Sequence, residues 1–234
     1  MATTFWAWLV SALVIVLLAV VIPSRLGAQS VLRDARGRYS LSRLQVMLWT
    51  VVLLSLIAGM AFGRFAAGQV DVAGFQIPEQ VLRLLGISLA SAVVAAAVKV
   101  VKSTNRPEAV AAYPVGKEGG KLWEMLTVEE GASAGRSVDL AKFQNFVVTV
   151  LLVVLYVAQA VSALKAVNNP AGIAGLPAFS DAFLVLLGVS HAGYLLGKMP
   201  SPAGTPAGGT MAERLASAAS ETEVSKIVPE VRTA

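Results

Sequence analysis

Apolar residues along this chain fall in runs too long for a globular core, separated by short polar stretches, and these runs define the expected elements. Phe5 to Ile22 is uninterrupted; Leu44 to Phe62, Val81 to Val101, Phe143 to Leu164 and the shorter Ala182 to Leu196 follow. At ~1.5 Å per residue, about 20 apolar residues cross the hydrocarbon layer of a bilayer. The pattern predicts an all-α integral membrane protein with five transmembrane helices. Ser40 or Ser42 is the expected N-cap of the second helix. The fifth run is short, so its helix is expected to begin nearer Pro177, with Ser180 and Asp181 in the interface.

Trp6 and Trp8 open the first run, where aromatic rings favour the lipid–water boundary. The alternative is a signal peptide with a poor cleavage site at Leu26-Gly27-Ala28. Against it, no basic residue precedes the run, and the run exceeds a usual signal core.

The runs also repeat, and a repeat governs the whole fold. Ser40 to Thr50 (Ser-Leu-Ser-Arg-Leu-Gln-Val-Met-Leu-Trp-Thr) has a second version at Asp139 to Thr149 (Asp-Leu-Ala-Lys-Phe-Gln-Asn-Phe-Val-Val-Thr). Each opens a span, and each is followed by a second span carrying Leu-Leu-Gly-Ile-Ser (Leu84 to Ser88) or Leu-Leu-Gly-Val-Ser (Leu186 to Ser190). The expected organisation is an anchor and basic loop (1–38), a first two-helix repeat (39–101), a loop (102–138), a second repeat (139–200) and a tail (201–234). Repeats of two spans enter the membrane the same way, so they are parallel. Inverted repeats with broken midplane helices are a common transporter signature.

Charge orients this frame. Arg25, Arg33, Arg36, Arg38 and Arg43 stand against Asp34 alone between the first two spans, and short loops this basic stay cytoplasmic. The N-terminus is therefore expected outside and the C-terminus inside. Arg64 belongs to an outside segment, Gly63 to Gln80, while Arg83 and Lys99 snorkel to opposite interfaces. The long loop after Lys102 carries both signs of charge. Within it, Lys121 to Leu126 reads as one or two helical turns, either lying on the membrane with Trp123 or packing as a solvated turn. Beyond the proline- and glycine-rich stretch Met199 to Thr210, a short helix over Ala212 to Lys226 is expected.

Composition agrees. The 234 residues are 56% hydrophobic and 14% charged, against about 25% charged in soluble domains. Net charge is +5, but the basic excess lies beside the spans, which points to anionic lipid rather than nucleic acid. No cysteine is present, which removes disulfides and thiolate metal ligands.

Candidate functional positions are few. Gln45 and Gln144 recur one turn inside their helices and read either as a clamp between repeats or as part of a ligand path. Gly86 and Ser88, with Gly188, Ser190, Gly193 and Gly197, form small-residue faces for close helix packing, within the chain or between subunits. His191, the lone histidine, lies inside the fifth span. It reads as a proton relay or pH sensor, or as a neutral ring bonded to Tyr156, Gln159 or Ser190. Tyr194 lies one turn on, along a possible polar path. The chain offers no metal-spaced His/carboxylate cluster, Gly-x-Ser-x-Gly elbow, P-loop or paired intramembrane carboxylates, so neither enzyme chemistry nor a cofactor is expected.

Tyr39 to Gln45 with Trp49 resembles the first repeat of a family of bacterial inner-membrane proteins to which no activity is assigned, with the pattern Ser-Leu-Gly-Arg-x-Gln-Met. Phe143, Gln144, Thr149, Gly188, Ser190, Tyr194, Lys198 and Pro200 match that family's second repeat. The likeness covers about Tyr39 to Pro200. Val148 departs from the family's tryptophan, and His191 stands where it has a small residue. The resemblance implies the fold and a bacterial inner-membrane location, and no activity. The functional expectation is a self-associating scaffold or anchor presenting its loops and tail to cytoplasmic protein partners. The alternative is a small oligomeric channel or transporter whose path is lined by Gln45, Gln144, Ser88, Ser190 and His191.

Overall fold

A backbone surrounded by hydrocarbon must satisfy its N–H and C=O groups internally, and helices do so within one segment. The computed structural model describes residues 2–26, 30–34, 37–69, 75–105, 121–129, 137–166 and 175–199. Among them are five α-helices and no strand: α1 (Ala2–Arg25), α2 (Leu41–Ala66), α3 (Glu79–Asn105), α4 (Leu140–Ala166) and α5 (Asp181–Lys198), with a 3-10 turn at Leu122–Leu126. The first four helices are long and apolar enough to cross a membrane; α5, 18 residues with Asp181, His191 and Lys198, is not among them. The expected linker and helix beyond Met199 lie outside the described residues, as does Pro200.

Each helix overruns its apolar core, because terminal polar residues satisfy the ends. Ser40 is the N-cap of α2 but its side chain accepts no cap bond, and the Ser42 hydroxyl is used elsewhere. For α4, Asp139 Oδ1 accepts the Lys142 N–H at 3.2 Å, a side-chain cap. Arg64, in the segment expected on the outer side of the membrane, has a buried side chain in the last turn of α2. The start of α5 is also corrected, from near Pro177 to Asp181. The Tyr156 hydroxyl donates to the Pro177 carbonyl and the Gln159 amide to that of Ala178, which holds 176–180 extended against α4.

α2, α3, α5 and α4 close a four-helix ring in that order, with α1 applied to the outside of α2. The starts of α2 and α4 and the ends of α3 and α5 meet at one end of the bundle, here called the base, so both hairpins point the same way. At the opposite end their loops join: Leu176 N–H donates to the Gln76 carbonyl, and Gly175 lies so close to Gln76 that a Cβ would collide with its backbone. Both α2 and α4 are entered through the same small hairpin. Ser40 N–H donates to Leu32 O before α2, as Asp139 N–H does to Leu126 O before α4. Arg33 bridges Tyr39 in the first hairpin, and Thr127 bridges Val138 in the second.

The buried stripes run in a different register from the motif. Gln45, Trp49, Leu56 and Met60 on α2 correspond to Asn145, Thr149, Tyr156 and Ala160 on α4. Val81, Leu84, Ser88, Ser91 and Ala95 on α3 correspond likewise to Leu184, Leu187, His191, Tyr194 and Lys198 on α5. Both helices of the second hairpin are thus turned by one residue from the motif alignment, about 100° about their axes. Gln144 consequently faces outward, and its neighbour Asn145 faces in.

Candidate functional site: a buried polar belt above an ionic clamp

Four layers stack along the bundle from the base. The lowest is ionic. Lys99, near the end of α3, pairs with Asp34 of the first entry hairpin at 2.6 Å. Glu129, just after the 3-10 turn, meets three ammonium groups: Lys198 at 2.7 Å, Lys142 at 2.8 Å and Lys99 at 3.7 Å. Lys142 also donates to the Thr127 carbonyl at 2.6 Å, and buried Arg38 donates to the Thr127 hydroxyl at 3.3 Å. One carboxylate therefore gathers the ends of α3 and α5 and the start of α4. Lysines suit the C-terminal ends, where the helix dipole is negative. Burial disfavours ionised Glu129, but Lys198, Lys142 and Lys99 outweigh it and hold the carboxyl well below the usual range. Lys99, expected to reach toward an interface, reaches Asp34 in the loop at the base.

Above the clamp lies a thin apolar layer of Leu41, Ala95, Met125 and Tyr194. Met125 reaches it from the 3-10 turn, whose Leu122 and Trp123 face outward, with the Lys121 ammonium over the Trp123 ring. Met125 packs inward, as the packing alternative for that segment expected.

The third layer is a polar belt: Gln45 on α2, Ser88 and Ser91 on α3, Asn145 and Thr149 on α4, and Ser190 and His191 on α5, all buried. Gln45 Nε2 donates to Thr149 Oγ1 at 2.7 Å, Thr149 donates to the Asn145 carbonyl at 2.9 Å, and Ser190 donates to Asn145 Oδ1 at 3.1 Å. Just below, the Ser42 and Tyr194 hydroxyls share a 2.8 Å bond across the ring. The belt is under-filled. Gln45 Oε1, Ser88 Oγ, Ser91 Oγ, Asn145 Nδ2 and both His191 ring nitrogens find no hydrogen-bond partner among the described residues. The three partners expected for His191 are committed elsewhere: Tyr156 to Pro177, Gln159 to Ala178 and Ser190 to Asn145. Among the described residues no three His, Asp or Glu side chains gather as a metal site.

The fourth layer fills the far half with hydrocarbon. Trp49, Tyr156 and Phe179 pack edge-on at centroid distances of 5.2 to 6.3 Å, among Leu53, Leu56, Leu84 and Leu187. This far half also holds buried polar groups on α2: Ser55, which accepts from Trp8 Nε1 at 3.0 Å, and Arg64 in the last turn.

Compared with family models, with curated proteins and with solved structures, the chain matches none.

The sequence-derived positions divide accordingly. Gln45, Ser88, Ser190 and His191 converge in the belt, and Tyr194 closes its lower side. Gln144 does not join them. The small-residue faces are also corrected as contacts within the chain: a Cβ at Gly86, Gly188 or Gly193 meets nothing within 4 Å, and one at Gly197 only touches Ala141 at 3.7 Å. These glycines lie away from the α3–α5 contact because the buried stripe follows the rotated register. The close approach occurs at Gly59 and Gly63 on α2, a GxxxG spacing not singled out from sequence, where α1 lies against the helix. The clamp was missed too, because its members are far apart in the chain. The one signal was a lysine at the end of each hairpin's second helix.

The register difference predicts unequal glutamines. Gln45→Leu is expected to cost about 1 kcal/mol, the scale of an intramembrane side-chain hydrogen bond. Gln144→Leu is expected to leave stability unchanged. Thermal unfolding of both variants in the same detergent checks the contrast, and equal losses would count against the assignment.

Proposed function

We propose that this chain is a five-span protein of a bacterial inner membrane, N-terminus out and C-terminus in. It acts there as a non-enzymatic scaffold that self-associates and offers a rigid cytoplasmic face to partners. A tandem duplication accounts for the paired entry hairpins and the parallel hairpins, and α5 serves as the fifth span sheltered by α3 and α4. The four helices long and apolar enough to cross a bilayer support the membrane location. The observation that carries the scaffold reading is the layering. Ion pairs at the base fasten loops to helix ends, while hydrocarbon side chains fill most of the far half of the bundle. Outward-facing Gly86, Gly188 and Gly193 leave room for a second copy to approach.

A small channel or transporter is the second reading, favoured by the unpaired atoms of Ser88, Ser91 and His191 in the belt. Against it, among the described residues Trp49, Tyr156 and Phe179 pack together over the belt. Purification in native-lipid nanodiscs tests the pair. Oligomers carrying protein partners that are lost on removing 201–234 support the scaffold. Monomers without partners, together with liposome flux abolished by His191→Ala, would replace it with the conduit.

A further inference from the structure

A groove of about 420 Å³ opens between the start of α2 and the second half of α3, and no role has so far been given to it. Its volume lies in the range of small-ligand sites, enough for a headgroup and a few methylenes. Its two ends differ in chemistry. Toward the base it is walled by Arg43, Lys99, Val100 and Thr104; deeper in the bundle Ala92, Ala95 and Ala96 replace them. From Lys99 to Ala92 the groove descends about 10 Å along α3. The outer wall of Arg43, Ala96, Val100 and Thr104 is exposed, so the groove opens sideways toward the surroundings of the helices.

Small side chains create this space. Ala92, Ala95 and Ala96 line it on α3, and at the position corresponding to Ala95 the helix α5 carries the larger Lys198. Two cations face one carboxylate, Asp34, which is itself held by Lys99 at 2.6 Å. The exposed Arg43 guanidinium can form paired hydrogen bonds to a phosphate.

We propose that this groove binds one anionic glycerophospholipid, with its phosphate on Arg43 and the head of one acyl chain along Ala92, Ala95 and Ala96. The proposal rests on the membrane reading above. A soluble phosphate compound would use the cationic end and leave the alanine-lined end empty, whereas a lipid uses both.

The full chain is purified in detergent, and its retention of phosphatidylglycerol and phosphatidylcholine is measured by native mass spectrometry. Phosphatidylglycerol is expected to be retained preferentially. Arg43→Gln should weaken that retention about fivefold, the effect of one cation at a lipid surface. Ala96→Phe, or Val100→Trp should the first variant fold poorly, is expected to abolish it, while Arg83→Gln at the other end of α3 leaves it unchanged. Retention unaffected by both the Arg43 and the groove-filling variants would overturn the proposal. So would equal retention of the two lipids, or displacement by millimolar inorganic phosphate that binds equally well to the filled groove. Carbonate extraction separates the two levels: release from membranes would overturn the membrane reading, whereas an insensitive but carbonate-resistant protein would remove the groove assignment alone.

Discussion

Glu129→Gln is expected to cost about 3 kcal/mol of folding stability, the lower end of what removing one partner from a buried ion pair costs. The lower end applies because the Glu129 side chain is 17% exposed. The substitution keeps size and shape but removes the one negative charge on which three lysines converge. Lys99 retains Asp34, Lys142 retains the Thr127 carbonyl, and Lys198 retains the face of Tyr194 at 5.0 Å. Mutual repulsion of the ammonium groups then frees the ends of α3 and α5 from the start of α4. Thermal unfolding in detergent gives the magnitude, and a loss below about 1 kcal/mol, typical of a surface pair, would refute the clamp.

The same group sets an acid dependence. Because folding lowers the Glu129 pKa below its unfolded value near 4.5, the unfolded chain binds more protons at low pH. The contribution of Glu129 is fully present above that unfolded value and is lost as pH falls through the folded one. Native protein is therefore expected to lose stability as pH falls below about 4.5, and Glu129→Gln to show a flatter acid profile. Parallel profiles would assign the acid loss to other carboxylates.

Gly59→Ala is expected to cost about 1–3 kcal/mol, the usual range for overpacking. A Cβ there would lie 2.6 Å from Trp8 Cα and 2.8 Å from Trp8 N, backbone atoms that cannot swing aside. α1 must move off α2, which also breaks the 3.0 Å bond from Trp8 Nε1 to Ser55 Oγ. Gly63→Ala should cost less, because its Cβ would meet the Thr4 side chain, which can rotate. A single cysteine at Ser55, in a chain that otherwise has none, reports the separation. Its alkylation in detergent should rise in Gly59→Ala and less in Gly63→Ala; no increase in either would show that α1 is not packed there.

These effects separate what could be read along the chain from what could not. The spans were legible because crossing hydrocarbon requires a long apolar run, which is a one-dimensional property. Their ends were less so: α5 starts late because Tyr156 and Gln159 of another helix take the carbonyls of Pro177 and Ala178. Half of the belt was visible, since Gln45, Ser88, Ser190 and His191 are polar residues inside apolar runs. Gln144 was misplaced because motif spacing does not state which way a helix is turned. Asn145, adjacent in sequence, takes the inward position through its bond with Ser190.

The amino-acid sequence by itself determined an all-helical chain with apolar helices long enough for a bilayer, because hydrocarbon length and local hydrogen bonding are written residue by residue. Only the tertiary structure decided helix rotation, the glycines that accept a neighbour, and the single carboxylate that ties three helices together. These depend on groups brought within a few ångströms from positions 13 to 69 residues apart. No local pattern encodes such a meeting, because its energy exists only once the chain has closed the ring.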